Sequence, residues 1–487
     1  MVHVVKGRTD RVVVVGAGLA GLSAALHLRG AGHEVTVVER HPHPGGLAGR
    51  LDVAGHLIDT GPTVLTMPEL LDEAFAAVGA RREDHLELLP LHPAYRAVFA
   101  DGSALDVHTD AARMEQEVRD FAGGREARGY RELRAWLHRL YEAEREKFIG
   151  TSFDSPLDLL GPELVTLTRL GGFGSLAKAV GRFLHDERLR RVFTFQSLYA
   201  GVAPRDALAA YAVIAYMDTV AGVWFPRGGM RAVPQALADA AASAGVRFEY
   251  GVEVARLERP GHRVSAVLTA ETRFPCDAVV LACGPAQSTR LLRGEPRRIR
   301  SLRWSPSAVV VHLSAARVAD GLAHHTISFG GAWDSTFDQI IRRGELMSDP
   351  SLLLTTPTLT DPALAPPGRH LQYLLAPCPN LDRAPIRWDV TAHRYAGELV
   401  AEMAARKLVV DAEPLAVVTP DDWAGDGQAA GTPFSAAHTF TQTGPFRPRN
   451  LPFRDGNVVL AGSGTTPGVG IPPVLISGRL AAGRLRH

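Results

Sequence analysis

The stretch that decides the fold is Val12-Val13-Val14-Val15-Gly16-Ala17-Gly18-Leu19-Ala20-Gly21, followed by a helical run over 22–28, a turn at Gly32, a second apolar run over 35–38, and Glu39. The order is strand, Gly-x-Gly-x-x-Gly, helix, strand, acid. Gly16 suits the tight turn, Gly18 lets backbone approach a pyrophosphate, Gly21 lets helix and strand pack closely, and the helix start offers free N–H groups and a positive dipole end. Glu39 stands 18 residues after Gly21, where a carboxylate accepts hydrogen bonds from ribose hydroxyls and repels a 2′-phosphate. A bound dinucleotide other than NADP is therefore expected.

The next residues choose between nicotinamide and flavin. Glu39-Arg40 runs into Pro44-Gly45-Gly46-Leu47-Ala48, then a hairpin-like 51–57 and Asp59-Thr60-Gly61-Pro62-Thr63. A glycine pair directly after the ribose acid brings a second stretch of backbone to the pyrophosphate, which a nicotinamide dehydrogenase does not require. FAD is the expected cofactor.

Two further apolar runs share the grammar of 12–15: residues 278–282 before Cys283-Gly284-Pro285, and 458–461 before Gly462-Ser463-Gly464. Each reads as a buried parallel strand delivering a glycine turn. They lie near the start, middle and end of the chain, so one nucleotide-binding domain assembled from separated segments is predicted, with substrate-binding material inserted between them. Residues 111–221 are mainly helical in pattern, notably 130–148 and 176–189, whereas 307–313 and 371–375 look like strands. The run 207–225 reads as a buried helix leading into a strand. It holds Asp218 and is followed by Pro226, so a membrane span is not expected.

The composition is that of an ordinary globular protein. The 487 residues are 46% hydrophobic and 22% charged, and 53 basic against 52 acidic residues leave a net charge of +1. No basic surplus points to nucleic acid. Cys276, Cys283 and Cys378 form no CxxC, so neither a metal site nor a disulfide framework is expected, and a reducing cytoplasm fits best. The first ten residues contain no apolar signal region.

Across nearly its whole length the chain resembles the bacterial phytoene desaturases of carotenoid biosynthesis, particularly the actinobacterial type, within the flavin amine oxidase superfamily. The resemblance is carried by residues 14–22, by Asp59-Thr60-Gly61-Pro62-Thr63-Val64, by Trp224-Phe225-Pro226-Arg227-Gly228-Gly229-Met230 and by 440–450 (FTQTGPFRPRN). Its most specific piece is Gly462-Ser463-Gly464-Thr465-Thr466-Pro467-Gly468-Val469-Gly470-Ile471-Pro472. It implies an α/β fold: a Rossmann-like FAD-binding domain with an inserted mixed-sheet substrate domain and a helical cap. The corresponding division is 1–75, 222–295 and 451–487 for the flavin domain, 76–110 and 296–450 for the substrate domain, and 111–221 for the cap.

Flavin contacts are then expected from Gly16, Ala17, Gly18, Gly21, Glu39, Arg40, Gly45, Gly46, Leu47, Ala48, Gly61, Pro62, Thr63, Val254, Gly462, Ser463, Gly470 and Ile471. Val254 sits in a strand-like 248–257 beside the adenine. Leu47 occupies a position where the family usually has Arg, and Arg50 is the nearby substitute. Pro472 and Pro473 suit the first turn of a C-terminal helix over 474–485, whose dipole would favour negative charge on a reduced flavin. No cysteine follows Cys378, so a non-covalent FAD is implied.

The implied reaction moves a hydride from a polyene to flavin. Asp218, the only charged residue in 207–225, is the candidate catalytic acid, accepting a proton or steadying a cationic intermediate; a structural Asp closing an apolar helix is the other reading. The substrate would be a lipophilic polyene and the electron acceptor oxygen or a quinone. The protein would sit at the cytoplasmic membrane as a peripheral protein, touching it through 157–173. A related carotenoid isomerase, ketolase or other lipophilic-substrate oxidase, and a non-catalytic prenyl-binding protein on the same fold, stay open at this point. Sequence does not give the oligomeric state.

Overall fold

A computed structural model describes residues 3–261, 263–293 and 302–485. At its centre five parallel strands lie in the order Val458–Leu460, Ala278–Leu281, Arg11–Val15, Glu34–Glu39, Arg247–Tyr250. Their apolar runs are buried on both faces, the condition under which near-continuous Val and Leu sequences form strands. Val15 aligns with Leu281, and Leu281 with Leu460, so the three glycine turns that follow emerge side by side along one edge. From Arg11–Val15 the sheet extends to Glu34–Glu39 on one side and to Ala278–Leu281 on the other. A crevice opens at such a switch point, beyond the carboxyl ends of the strands.

Two helices close that edge. The N-terminal helix Leu19–Gly30 packs against the C-terminal helix Ile471–Ala482, and the Ser23 hydroxyl donates to the Leu475 carbonyl at 2.8 Å. A Cβ on Gly478 would overlap the Ala20 carbonyl oxygen, so glycine there sets how closely the helices approach. Chain start and chain end are thus packed into one unit.

A second, seven-stranded sheet has the order Ala412–Val418, Ser307–Ala315, His370–Cys378, Leu352–Thr355, His325–Phe329, Tyr95–Phe99, Ala104–Val107. Only the pairing of Tyr95–Phe99 with His325–Phe329 is parallel. One face, with Val309, Val311, Leu374 and Ala376, packs under the helix Trp388–Ala405. Because side chains alternate along a strand, Tyr373, Leu375 and Pro377 point the other way, into a cavity. Residues 88–107 and 307–418, far apart in sequence, share the space around it.

The helical layer over 111–221 is more broken than its pattern suggests. The expected 130–148 helix is Gly124–Glu144 followed by a π turn, Arg145–Ile149. The expected 176–189 helix is two short ones, Leu176–Val180 and Glu187–Val192. The second is started by Asp186, whose carboxylate accepts from the amides of Arg188 and Leu189. In 207–225 a short helix, Ala212–Tyr216, passes through a π turn, Met217–Ala221, into the strand Trp224–Pro226, which pairs with Leu88–Pro90. The strand expected over 248–257 is also divided, into Arg247–Tyr250 and Arg256–Glu258, with Gly251 between them at φ +72°. The expected boundary at 295/296 lies outside the described residues.

Candidate flavin site and substrate tunnel

The crevice is lined by backbone that side chains would obstruct. Gly16 has φ +105°, and a Cβ on Gly21 would overlap the Gly16 carbonyl oxygen. Gly18 precedes the N-terminal helix and leaves its first turn without a side-chain cap or an acid. The expected second stretch of backbone is in place: the Gly45 amide donates to Ala17 O at 2.9 Å, and a Cβ on Gly46 would stand 3.2 Å from the Gly18 Cα. Ala48 is buried beside this turn, and a Cβ on Gly61 would overlap the Leu47 carbonyl oxygen. Two glycine turns from different segments thus form one narrow cradle that excludes side chains and lets backbone come close, at the start of the N-terminal helix, which fits a pyrophosphate.

Glu39 ends its strand at 6% exposure, its carboxylate accepting from the Ala17 amide at 2.7 Å and the His41 amide at 2.9 Å. These bonds fix it at the rim of the cradle. Arg40 points away and donates to the Asp426 carbonyl at 2.7 Å. Leu47 packs with Val310, Tyr373 and Trp423, an apolar neighbourhood. Arg50 is exposed at the start of the following strand. Asp59 is buried and receives the amides of Met230 and Arg231 at 2.8 and 3.1 Å; burial raises its pKa to about 6 against the lowering effect of those bonds. It ties the 59–63 segment to the glycine turn of 228–229.

Val254, in the connection between the two short strands, is buried in an apolar cluster with Val13 and Val38. Across the sheet, Gly462 has φ +108° and its amide donates to Ser477 Oγ at 3.0 Å. Gly470 and Ile471 begin the C-terminal helix, which has proline in its first turn and neither a side-chain cap nor an acid. Pro472 and Pro473 carry no N–H, so this helix start offers its dipole more than its donors. A residue without an assigned role, Arg447, holds the loop between Gly462 and Gly470. Its guanidinium is 2% exposed and donates to the carbonyls of Ser463, Thr465, Ala436 and Gln442, at 2.6, 3.1, 3.2 and 3.4 Å. Burial pulls its pKa down to about 10, which leaves it charged at neutral pH. The only sequence signal for it was membership of the 440–450 motif.

A cavity of about 510 Å³ meets this site. Gly61, Pro62, Thr63, Gly470 and Ile471 line it at the crevice, so five expected flavin neighbours also face the space a substrate would fill. The walls are largely apolar, with Phe195, Phe329, Ile340 and Leu352 among them.

Asp218 lies on the cavity wall, in the π turn that ends the 212–216 helix. Its Oδ2 accepts from Gln196 Nε2 at 3.3 Å, while Oδ1 has no partner among the described residues. Burial raises its pKa to about 8, against the lowering hydrogen bonds, so the carboxyl is mostly protonated at neutral pH. The ring of Tyr199 also lines this part of the wall. His325 is neutral, its pKa pushed down to about 4 by burial, and its Nε2 stands 3.1 Å from the Thr63 hydroxyl. Sequence reasoning found Asp218 but not Gln196 or His325, which carry no motif.

Three exposed apolar side chains, Phe173, Phe440 and Phe446, line the cavity. In 157–173 the exposed ones are Leu157, Leu160, Val165 and Phe173, whereas Leu167 turns inward at 3% exposure. Phe440 and Phe446, also exposed and lining the cavity, pair at 5.9 Å between ring centroids. Among the described residues no helix is long and apolar enough to cross a membrane.

Comparison with known proteins adds to this geometry. The family model for flavin containing amine oxidoreductase matches residues 19–486. A phytoene dehydrogenase of Streptomyces griseus is 62% identical over 486 residues, covering 99% of this chain and 96% of its own. A zeta-carotene-forming phytoene desaturase of Myxococcus xanthus is 36% identical, covering 98% of this chain and 93% of its own. Among solved structures, an oxidoreductase from Methanosarcina mazei superposes with a TM-score of 0.65 at 18% identity, covering 96% of this chain and 98% of its own; that likeness concerns the fold alone.

Proposed function

This chain belongs to the flavin containing amine oxidoreductase family, and from its desaturase relatives we infer that it is an FAD-dependent phytoene desaturase that introduces double bonds into a long apolar polyene on the way to lycopene. The observation that carries this reading is the joining of two spaces: an apolar cavity of about 510 Å³ whose wall, at Pro62, Thr63, Gly470 and Ile471, is also the wall of a glycine-built nucleotide crevice.

The crevice residues suit FAD. Gly16, Ala17, Gly18, Gly45 and Gly46 would hold the pyrophosphate, Glu39 the ribose hydroxyls, Val254 the adenine side, and Gly462, Ser463, Gly470 and Ile471 the ring end. The uncapped start of the C-terminal helix favours negative charge at that end. No cysteine stands in 462–471, in keeping with a non-covalent cofactor. Bound there, FAD supplies a hydride acceptor at N5.

The protein's own tasks are orientation and dryness. An extended hydrocarbon has no polar handle, so the shape of the wall decides which of its bonds faces the crevice. Phe195, Phe329 and Ile340 keep water from the allylic carbon while the proton leaves its neighbour. Asp218 is the acid placed to interact with that charge. Its protonated form at neutral pH suits a dipole that steadies a cation; removing a proton requires the ionised form. Electrons then pass to oxygen or a quinone. The exposed ring of Leu157, Leu160, Val165, Phe173, Phe440 and Phe446 serves as a shallow membrane contact through which the polyene enters.

The deciding experiment is co-expression in cells that accumulate phytoene, followed by pigment chromatography and the absorption spectrum of the purified protein. Yellow protein and newly conjugated carotenes are expected. Yellow protein with phytoene left unchanged would favour another lipophilic-substrate oxidase, and colourless protein that retains bound prenyl lipid would favour the non-catalytic alternative.

A further inference from the structure

A tunnel meant only for hydrocarbon has no use for unpaired polar atoms, because each must give up water without a replacement partner. This tunnel contains a group of them beyond Asp218. Glu144 is the last residue of the helix Gly124–Glu144, just before the π turn Arg145–Ile149; it lines the cavity at 5% exposure, and its Oε1 has no hydrogen-bond partner. Burial alone raises its pKa well above the carboxylate range, so the group is a neutral acid.

His438, 6% exposed, also lines the cavity with an unpartnered Nε2. Its other nitrogen is 2.9 Å from the Tyr211 hydroxyl, which also bonds the Thr443 hydroxyl. Burial lowers the pKa of His438 well below its usual range, so the ring is neutral. Tyr211 and Thr443 line the same cavity, as do the exposed Phe440 and Phe446, each three residues from Thr443.

We propose that Glu144, Tyr211, Thr443 and His438 form a polar subsite of the tunnel that binds the hydroxyl end of an oxygenated long-chain isoprenoid. A neutral carboxyl offers one donor and one acceptor, and an alcohol offers the same pair in return. The Tyr211 bonds hold the histidine ring in place, so its free nitrogen is a fixed second point of contact. With the hydroxyl held here, the apolar chain lies along the remaining wall toward Pro62 and Ile471. The inference rests on the tunnel being the polyene site and adds a second substrate class to it.

The test uses the flavin-loaded protein in detergent, with all-trans-retinol and its deoxy hydrocarbon as paired probes, read by quenching of tryptophan fluorescence; Trp333 lines the tunnel. The alcohol is expected to bind about 10-fold more tightly than the hydrocarbon, the value of one well-made hydrogen bond. Glu144→Leu should abolish that preference and Glu144→Gln retain most of it. Tyr211→Phe should reduce it a few-fold and provides the answer if the leucine variant does not fold. Equal binding of both probes by the unaltered protein, or an unchanged preference in the Glu144→Leu and Tyr211→Phe variants, overturns the subsite. Failure of both probes to bind overturns the tunnel reading itself, and the subsite with it.

Discussion

The guanidinium of Arg447 donates to the carbonyl of Ser463 at 2.6 Å from a position with almost no solvent exposure. The same side chain holds three other carbonyls, so one cation fixes the loop that leads to the C-terminal helix. Arg447→Met keeps the apolar stem and removes every one of those bonds. It should lower stability by about 3 kcal/mol, as a few unpaired carbonyls relax only in part. Flavin retained after gel filtration, read by visible absorption, should fall at least about tenfold, by the same energy scale. Full flavin content in a folded variant would remove Arg447 from any role in shaping the site.

Asp218 makes a prediction about pH. Its folded pKa, about 8, lies above the ordinary carboxylate value of the unfolded chain. The folded state therefore binds the proton more tightly, and the stabilising contribution is fully present below about pH 4 and lost as pH rises toward 8. Urea unfolding of the flavin-free protein should show that decline, and Asp218→Asn should flatten it. Glu144 and Asp59, which shift in the same direction, contribute to the residual slope. If Asp218 takes the proton during turnover, the rate should rise through about pH 8 and the Asn variant should lack that rise; normal turnover by Asp218→Asn with FAD bound would sink the catalytic role.

The rim makes a prediction about membranes. Replacing Leu157, Leu160, Phe440 and Phe446 together by Ser removes exposed apolar area without touching the packed Leu167. Each shallowly buried side chain is worth about 1 kcal/mol, so partition to liposomes should drop by at least about 100-fold. Flotation of the fourfold variant equal to that of the parent would eliminate this surface as the contact.

Arg484 and Asp154 make the opposite pH prediction. The fully buried Arg484 grips both carboxylate oxygens of Asp154 at 2.8 Å, and also bonds Asn450 and the His3 carbonyl. Burial would raise the pKa of Asp154, but the hydrogen bonds from Arg484 and the His3 amide outweigh it and hold the value below the carboxylate range. This stability is present above about pH 4, the unfolded value, and is lost as pH falls through the folded one. Arg484→Met should cost about 3–5 kcal/mol at neutral pH, seen as a lower denaturant midpoint, because an uncompensated carboxylate remains partly buried.

The residues that were legible in the sequence are those whose local pattern is their function. Val12 to Val15 and Gly16 announce a buried strand and its turn without help from the rest of the chain, and the runs at 278–282 and 458–461 do the same. Glu39 was found by its distance from Gly21. Glu144, His438 and Tyr211 were not found, because nothing local separates a cavity-facing residue from a helix or loop residue elsewhere; only the fold brings 144, 211 and 438 to one wall. The broken helix at 176–192 had a readable cause in Gly181 and the cap at Asp186, but the helical periodicity ran across both. In the apolar stretch 157–173, Leu157, Leu160, Val165 and Phe173 are exposed while Leu167 is buried, a division that hydrophobicity alone does not encode.

The strand Val458–Leu460 enters the central sheet beside Ala278–Leu281, and the helix Ile471–Ala482 then covers the crevice edge. During synthesis this order sets a clock. A nascent chain can pair Arg11–Val15 with Glu34–Glu39 early, yet the edge proposed to receive the cofactor stays open until residues 458–482 leave the ribosome. A chain interrupted between residues 46 and 458 carries the glycine turns of 16–21 and 45–46 and still lacks a closed pocket. On the proposed reading, cofactor capture therefore reports that synthesis has passed residue 482, which the glycine turns of 16–21 and 45–46 alone do not.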